Sequence, residues 1–326
     1  MTRVSMIEGD GIGFEVTRAL RRVFRPLNAD IRWELFEAGL RHYQKKGVYI
    51  GEDFYESIEK TKLAIKGPMD NPNEKKGDFA ITHLREEYNL KVQEFRLRGL
   101  DFFKNKYSKV DFSLFYENDQ LLPKIENLKD FSANKNFQIS KDGTVEVFNR
   151  ARILAQIRKE NTITVVLSEN SDNYFDDFFL ETVQEEKSKL KKLNLNILYF
   201  EEFIEEFIKE PSAFNVVICQ SKYGEIISNI ANSLVESPLK AKSNYGIEYV
   251  VFDIDKKDKN KEEKQITKAI QVLFTGTLLL EFLGRYDLSK KLLNALDNGL
   301  KELYENGKIK NFISIDELTN IVISHL

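Results

Sequence analysis

The sequence has a single cysteine, Cys219, and only six prolines among its 326 residues. One cysteine excludes a disulfide framework within the chain, which favours a reducing compartment, and we expect the cytoplasm. No apolar run reaches the roughly 20 residues that a membrane-spanning helix needs. The residues after Met1 enter a strand-like segment directly, so no signal or transit peptide is expected. No flexible linker is visible, so any second domain should be inserted into the first.

Strong charge of either sign is also missing, since the formal net charge is -3 and the pI is near 5.9. We therefore expect neither nucleic acid nor an anionic membrane as a partner. The three histidines lack metal-ligand spacing and should be surface or helix residues. Cys219 follows the apolar residues 216–218, which predicts a buried, inert thiol.

Strand-like and helix-like segments alternate along the chain, which predicts an α/β fold with substantial parallel pairing. Helices are predicted at Val16–Val23 and Phe54–Lys60. The predicted strands are Val4–Ile7, Ile31–Phe36, Leu63–Lys66, Asp111–Phe115, Thr162–Leu167, Asn196–Tyr199 and Asn215–Cys219.

Two further segments have distinctive patterns. Glu201–Glu210 reads EEFIEEFIKE, which predicts a helix with Phe203, Ile204, Phe207 and Ile208 on one face and acids opposite. Lys256–Lys268 has almost no apolar anchor, so a solvated loop or an exposed helix start is expected there.

Five short motifs occur in an order and spacing typical of one enzyme family. They are IEGDGIGFEV at Ile7–Val16, KGPMDNP at Lys66–Pro72, LREEYNL at Leu84–Leu90, Glu117-Asn118, and YGEIISN at Tyr223–Asn229. A sixth stretch, FFLETV, occupies Phe178–Val183. By itself, the first motif predicts a tight turn that needs glycine dihedrals, and it is not a dinucleotide fingerprint.

Together these motifs resemble the β-decarboxylating isocitrate/isopropylmalate dehydrogenase family, and most closely its NAD-dependent isocitrate or homoisocitrate enzymes. The resemblance implies a large α/β domain of residues 1–97 plus 236–326 and a small inserted domain of residues 98–235. An arm near Pro123–Val145 would clasp a partner subunit, and a site in the cleft would be completed across a dimer. The apolar face of Glu201–Glu210 would lie at that dimer interface, although ordinary core packing explains it equally well.

The residues that would perform the family's chemistry are largely replaced. The family uses a lysine to help remove the hydroxyl proton and a tyrosine to deliver a proton afterwards. Ser168 stands at the lysine position, followed by Glu169 and a retained Asn170. Pro123 stands at the tyrosine position. We therefore expect no retained catalytic group.

The substrate-binding arginines are reduced as well. Arg85 is retained, while the second arginine aligns with Phe95, beside Arg96 and Arg98, and the third aligns with Tyr116. Losing two forked carboxylate contacts would cost about 3–6 kcal/mol of binding. Bulky apolar residues, Phe79 and Ile81, replace the family's serine and asparagine. The expected remnants of the substrate site are Arg85, Arg98, Asn118 and Asn170.

The metal and cofactor sites are weakened in the same way. The family's metal aspartates align with Glu201, Glu225 and Asn229, and Mg²⁺ requires strict octahedral geometry. We expect no bound Mg²⁺ or Mn²⁺, and Glu225 is better explained as a helix-start carboxylate. The family's adenosine loop aligns with Asp253–Ala269, which contains no glycine, proline or histidine. NAD(P) binding is therefore not expected.

Three functions remain open. The pattern of loss favours a regulatory or structural subunit that forms a dimer or higher oligomer with a catalytic paralogue. A homodimeric small-carboxylate binding protein, anchored by Arg85, Arg98 and Asn118, is the first alternative. A still-active NAD-dependent isocitrate dehydrogenase with an altered site is the second.

Overall fold

The computed structural model describes residues 1–70, 79–102, 106–118, 140–168, 174–254, 263–307 and 313–326. The predicted α/β class is confirmed, because strands and helices alternate along most of the chain. The chain divides into unit 1, residues 1–84, 238–243 and 248–326, and unit 2, residues 85–237 and 244–247. Within the described part, no helix is long and apolar enough to cross a membrane.

The first unit boundary lies earlier than the one expected after residue 97. Strand β4 (Val92–Arg98) belongs to unit 2 because it pairs antiparallel along its whole length with β5 (Asp111–Glu117). The polar sequence of β4 hid this strand from pattern-based prediction, since Gln93, Glu94 and Arg96 interrupt its apolar residues.

Unit 1 contains parallel strands in the order β2-β1-β3-β10. These strands are β1 (Thr2–Ile7), β2 (Ile31–Phe36), β3 (Leu63–Lys66) and β10 (Val250–Asp253). Its helices are α1 (Gly13–Phe24), α2 (Leu40–Lys46), α3 (Glu52–Thr61), most of α4 (Phe79–Glu87), α9 (Glu263–Phe282), α10 (Tyr286–Glu305) and α11 (Ile315–Ser324). Strand β9 (Lys240–Tyr245) contains the boundary between residues 243 and 244.

The first sequence motif forms the tight turn that was predicted. Gly9 has a φ of 80°, and a Cβ atom there would lie 2.1 Å from the Pro68 carbonyl oxygen. The neighbouring Asp10 carboxylate accepts hydrogen bonds from the backbone N–H groups of Leu40 and Asp70, both at 2.8 Å. The first two motifs therefore pack against each other within unit 1.

Unit 2 contains strands in the order β4-β5-β8-β6-β7, parallel from β5 to β7. The strands after β5 are β6 (Thr162–Leu167), β7 (Asn194–Tyr199) and β8 (Val216–Cys219). The helices are α5 (Lys141–Arg158), α6 (Tyr174–Ser188), α7 (Phe200–Lys209) and α8 (Ser221–Val235), with a 3-10 turn at Pro211–Ala213. Strand β6 begins and ends where the sequence predicted. Cys219 is buried at the end of β8, as expected.

The apolar face of α7 lies in the core of unit 2. Phe203 and Phe207 are fully buried, and both rings contact Phe214, with centroids 5.1 and 6.0 Å away. Of the two alternatives predicted for this face, core packing is confirmed and the dimer interface is wrong for these two phenylalanines, because the chain's own core covers them. Ile204 is partly buried against the same core, whereas Ile208 is 40% exposed.

The charged segment Lys256–Lys268 is described only from Glu263 onward, where α9 begins. Lys268, at its end, was expected to be solvated, but this residue is 5% exposed and its ammonium donates to the Gln271 side-chain oxygen at 3.1 Å. The expectation is therefore wrong for Lys268, because α9 has already entered the core of unit 1 there.

Candidate functional site

Arg85 was predicted to be the retained substrate arginine, and its guanidinium forms hydrogen bonds inside unit 2. Its Nε donates to the Asn244 side-chain oxygen at 2.8 Å, and a terminal nitrogen donates to the Gln93 side-chain oxygen. Arg85 is 8% exposed, and Gln93 and Asn244 are almost completely buried. The guanidinium therefore joins α4 to β4 and β9 through neutral acceptors.

Tyr116, which the resemblance aligned with a substrate arginine, extends the same set of hydrogen bonds. It lies directly opposite Gln93 in the β4–β5 ladder, and the Gln93 amide donates to its hydroxyl. The Tyr116 hydroxyl in turn donates to Glu225 Oε1 at 3.1 Å. Burial, with a smaller contribution from the Glu225 charge, raises the pKa of Tyr116, so the phenol stays neutral.

The residues Asn244, Arg85, Gln93, Tyr116 and Glu225 thus form one hydrogen-bonded series, called here the buried polar chain. It includes the aligned positions of two substrate arginines and one metal aspartate. Gly224 leaves room for the Tyr116 ring, because a Cβ atom at Gly224 would lie 2.3–2.6 Å from three ring carbons. The retained glycine therefore fits the substituted tyrosine.

The second arginine is not replaced by a neighbour on the same face of β4. Phe95 is buried in the core on the face that also carries Gln93. Successive strand residues point to opposite faces, so Arg96 and Arg98 lie on the other side. Arg96 there donates to Glu94 Oε1 from two nitrogens, at 2.9 and 2.7 Å. Arg98, an expected remnant, is therefore not grouped with Arg85.

Glu117 and Asn118, the remnant of the fourth motif, stabilise local structure. The Asn118 amide donates to the Leu90 carbonyl at 2.6 Å, and Asn118 is 2% exposed. Glu117 accepts a hydrogen bond from the Ser140 hydroxyl at 2.6 Å, and Ser140 caps the start of α5. Burial raises the pKa of the Glu117 carboxyl above its ordinary value.

Ser168, at the lysine position, follows the end of β6 beside a buried carboxylate. Its backbone N–H donates to Asp176 Oδ2 at 3.1 Å. The same carboxylate accepts from the Gln220 amide at 2.6 Å and from the Lys222 ammonium at 3.0 Å. Sequence comparison missed Lys222, although it directly precedes the YG motif. Glu169, Asn170 and Pro123 lie outside the described residues, as does most of the expected clasp arm.

The three aligned metal positions lie on two different helices of unit 2. Glu201 is exposed in the first turn of α7, while Glu225 and Asn229 lie one turn apart on α8. Glu225 lies in the second turn of α8, so the helix-start explanation is wrong, and its oxygen already accepts from Tyr116. Within the described ranges, no three His, Cys, Asp or Glu side chains are grouped to hold a metal ion.

The start of the aligned adenosine loop is occupied by a buried ion pair of unit 1. The Lys66 ammonium lies 2.9 Å from Asp253 Oδ1, and the two side chains are 0% and 5% exposed. Asp253 is opposite Lys66 in the β3–β10 ladder, which explains the contact. Residues 255–262 of the loop lie outside the described part.

Comparison with known proteins covers almost the whole chain. A family model described as isocitrate/isopropylmalate dehydrogenase matches residues 3–321. The chain is 23% identical to NAD-dependent isocitrate dehydrogenase subunit 1, mitochondrial, of Saccharomyces cerevisiae, covering 99% of this chain and 91% of that protein. It is 24% identical to a mitochondrial regulatory subunit of the NAD-dependent isocitrate dehydrogenase of Dictyostelium discoideum, covering 99% and 90%.

The similarity extends to bacterial proteins and to the fold. The chain is 24% identical to the isocitrate/homoisocitrate dehydrogenase of Thermus thermophilus, covering 90% of each chain. The crystal structure of isocitrate dehydrogenase from Methylococcus capsulatus has the same fold, with a TM-score of 0.82 at 18% identity, covering 100% of this chain and 99% of that one.

Proposed function

Because the chain belongs to the isocitrate/isopropylmalate dehydrogenase family, we propose that it is a non-catalytic subunit with a regulatory or structural role beside an active isocitrate or homoisocitrate dehydrogenase paralogue. The buried polar chain carries this proposal. Arg85, Tyr116 and Glu225 occupy positions that the family uses for substrate and metal, yet here they hydrogen-bond within one series.

The energetics of this series oppose substrate binding. Two of the five N–H donors of the Arg85 guanidinium are already bound to Asn244 and Gln93, in hydrogen bonds worth about 1.5–3 kcal/mol each because one partner is charged. Any turn of the guanidinium towards a substrate carboxylate would weaken them. Tyr116 stays neutral and offers no positive charge to a carboxylate. Ser168 replaces the lysine amine with a hydroxyl that does not act as a base near neutral pH. We accordingly propose no role for NAD(P), Mg²⁺ or Mn²⁺ in this chain.

A partner role is supported by the similarity to a regulatory subunit. The alternative of a small-carboxylate binding protein needs Arg85, Arg98 and Asn118 to converge. Arg98 lies on the face of β4 opposite to the Arg85 partner Gln93, and the Asn118 amide is bound to Leu90. That alternative therefore ranks second. The proposed compartment remains the cytoplasm, although several similar proteins are named as mitochondrial.

Co-expression tests the proposed partnership. A tagged copy of this chain is co-expressed with an untagged paralogue that retains the lysine and aspartate motifs. The tagged chain is purified, and the ratio of the two subunits in the product is measured. We expect a stable hetero-oligomer that survives gel filtration. Recovery of the tagged chain alone, at matched expression of both chains, would contradict the proposal. In a thermal-shift screen of the chain alone, isocitrate, citrate and dicarboxylates should then leave the melting temperature unchanged.

A further inference from the structure

Residues 244–247 form a short insertion of unit 2 between two parts of unit 1, and they are called the strap here. The chain enters unit 2 at Asn244, within β9, and returns to unit 1 at Glu248, shortly before β10. Asn244 is completely buried and accepts the hydrogen bond from Arg85 described above. The start of the strap is therefore fastened to unit 2.

The side chain of Tyr245 is held by charged groups of unit 2. Its hydroxyl donates to Glu94, a carboxylate of β4 that is 1% exposed. The guanidinium of Arg150, on α5, lies over the Tyr245 ring at 4.7 Å from the ring centroid. Glu146, one helical turn before Arg150, accepts from that guanidinium at 2.7 Å and fixes its position. The second strap residue is therefore fastened by an acid and by a cation.

Gly246 is fastened through its backbone. Its carbonyl accepts a hydrogen bond from Arg150 at 3.2 Å. A Cβ atom at Gly246 would lie 3.0 Å from the carbonyl oxygens of Tyr88 and Asn89, so the strap passes close to the residues that follow α4. Ile247, by contrast, is 83% exposed and marks the end of the strap.

A second set of contacts holds the chain to unit 1 directly after the strap. The Lys62 ammonium lies 3.1 Å from the Glu248 carboxylate and donates to the Tyr249 hydroxyl at 2.7 Å. The N–H of Val250, the first residue of β10, donates to the Lys62 carbonyl at 3.0 Å. Gly246 and Glu248 are two residues apart, which allows at most about 7 Å of chain. The connection between the two sets of contacts therefore has almost no slack.

We propose that the strap couples the two units, so that unit 1 and unit 2 unfold together in a single transition. Two units of one chain can ordinarily unfold separately. Here the unfolding of either unit would pull on a fastening in the other through the short connection at Ile247. Helix α4 also passes from unit 1 to unit 2, between Leu84 and Arg85, and Arg85 is itself a fastening of the strap. The coupling needs neither a ligand nor a partner chain.

A longer connection tests this coupling. Inserting Gly-Gly-Ser between Ile247 and Glu248 adds about 10 Å of chain and leaves every fastening side chain in place. The same insertion between Lys191 and Lys192, which are exposed and lie within unit 2, is the matched control. Urea unfolding is followed by the fluorescence of Trp33, the chain's one tryptophan, which lies in unit 1. It is followed in parallel by far-UV circular dichroism, which reports on both units.

In the wild type and in the control insertion, the two signals should give the same urea midpoint. In the strap insertion, the two midpoints should differ by about 0.5 M or more, because each unit then unfolds at its own stability. Coincident midpoints in the strap insertion, or different midpoints in the wild type, would overturn the proposal.

A substitution provides a second test if the insertion disturbs folding. Arg150→Ala removes the cation above Tyr245 and the donor to the Gly246 carbonyl. Arg152→Ala, on the same helix, is the control, because Arg152 donates to Gln156 of α5 at 3.4 Å. We expect different midpoints from the two signals for Arg150→Ala and coincident midpoints for Arg152→Ala. Coincident midpoints for both variants would contradict the role of the strap.

Discussion

Replacing Arg85 with alanine should lower the free energy of unfolding by about 2–4 kcal/mol. The substitution removes a cationic donor from Gln93 and Asn244, and it leaves their buried oxygens without that partner. Gln93 also donates to Tyr116, so the loss would loosen the buried polar chain beyond Arg85 itself. Urea unfolding followed by far-UV circular dichroism measures the change.

An exposed arginine supplies the control for this experiment. Arg18→Ala, on the exposed side of α1, should change the free energy of unfolding by less than about 0.5 kcal/mol. A substrate-binding arginine in an open site would behave like Arg18, because its loss would remove binding and not stability. Equal unfolding midpoints for the two variants would therefore contradict an internal role for Arg85.

Replacing Phe203 with alanine should cost about 3–5 kcal/mol of stability, because the ring is fully buried against other phenylalanines. Ile208 lies on the same helix and is 40% exposed, so Ile208→Ala should cost less than about 1 kcal/mol. Chemical denaturation compares the two variants directly.

The same pair of variants separates core packing from an interface role. If Phe203 belonged to a subunit interface, Phe203→Ala would leave monomer stability unchanged and would reduce the mass measured at high concentration. The structure predicts the opposite result. Phe203→Ala should lose much of its stability, and the mass of the folded protein should not change.

Sequence patterns located the elements that have uniform composition. Strand β6, TITVVL, consists of β-branched residues followed by a final leucine, so its limits were predicted to the residue. The helix at α7 was predicted to within one residue at each end from its apolar spacing. Strand β4 was missed because buried polar residues interrupt its apolar pattern. One of them, Glu94, accepts a hydrogen bond from Tyr245, which is 151 residues away in the sequence.

For the candidate site, too, the sequence predicted some features and missed others. The family motifs predict which positions have changed, and Tyr116 in place of an arginine is one of these predictions. They did not reveal that Tyr116 would bond to Gln93 and Glu225, since those contacts depend on strand register and on the packing of α8. They also missed Lys222, which reaches the carboxylate beside Ser168 only through the fold.

The most direct test of the non-catalytic assignment is an absorbance assay on the purified chain. Protein at high concentration is mixed with isocitrate or homoisocitrate, Mg²⁺ or Mn²⁺, and NAD⁺ or NADP⁺, and reduction is followed at the nicotinamide band. We predict no turnover above the protein-free rate, while a co-purified paralogue is active under the same conditions. Steady NAD(P)H formation by the chain alone would contradict the assignment.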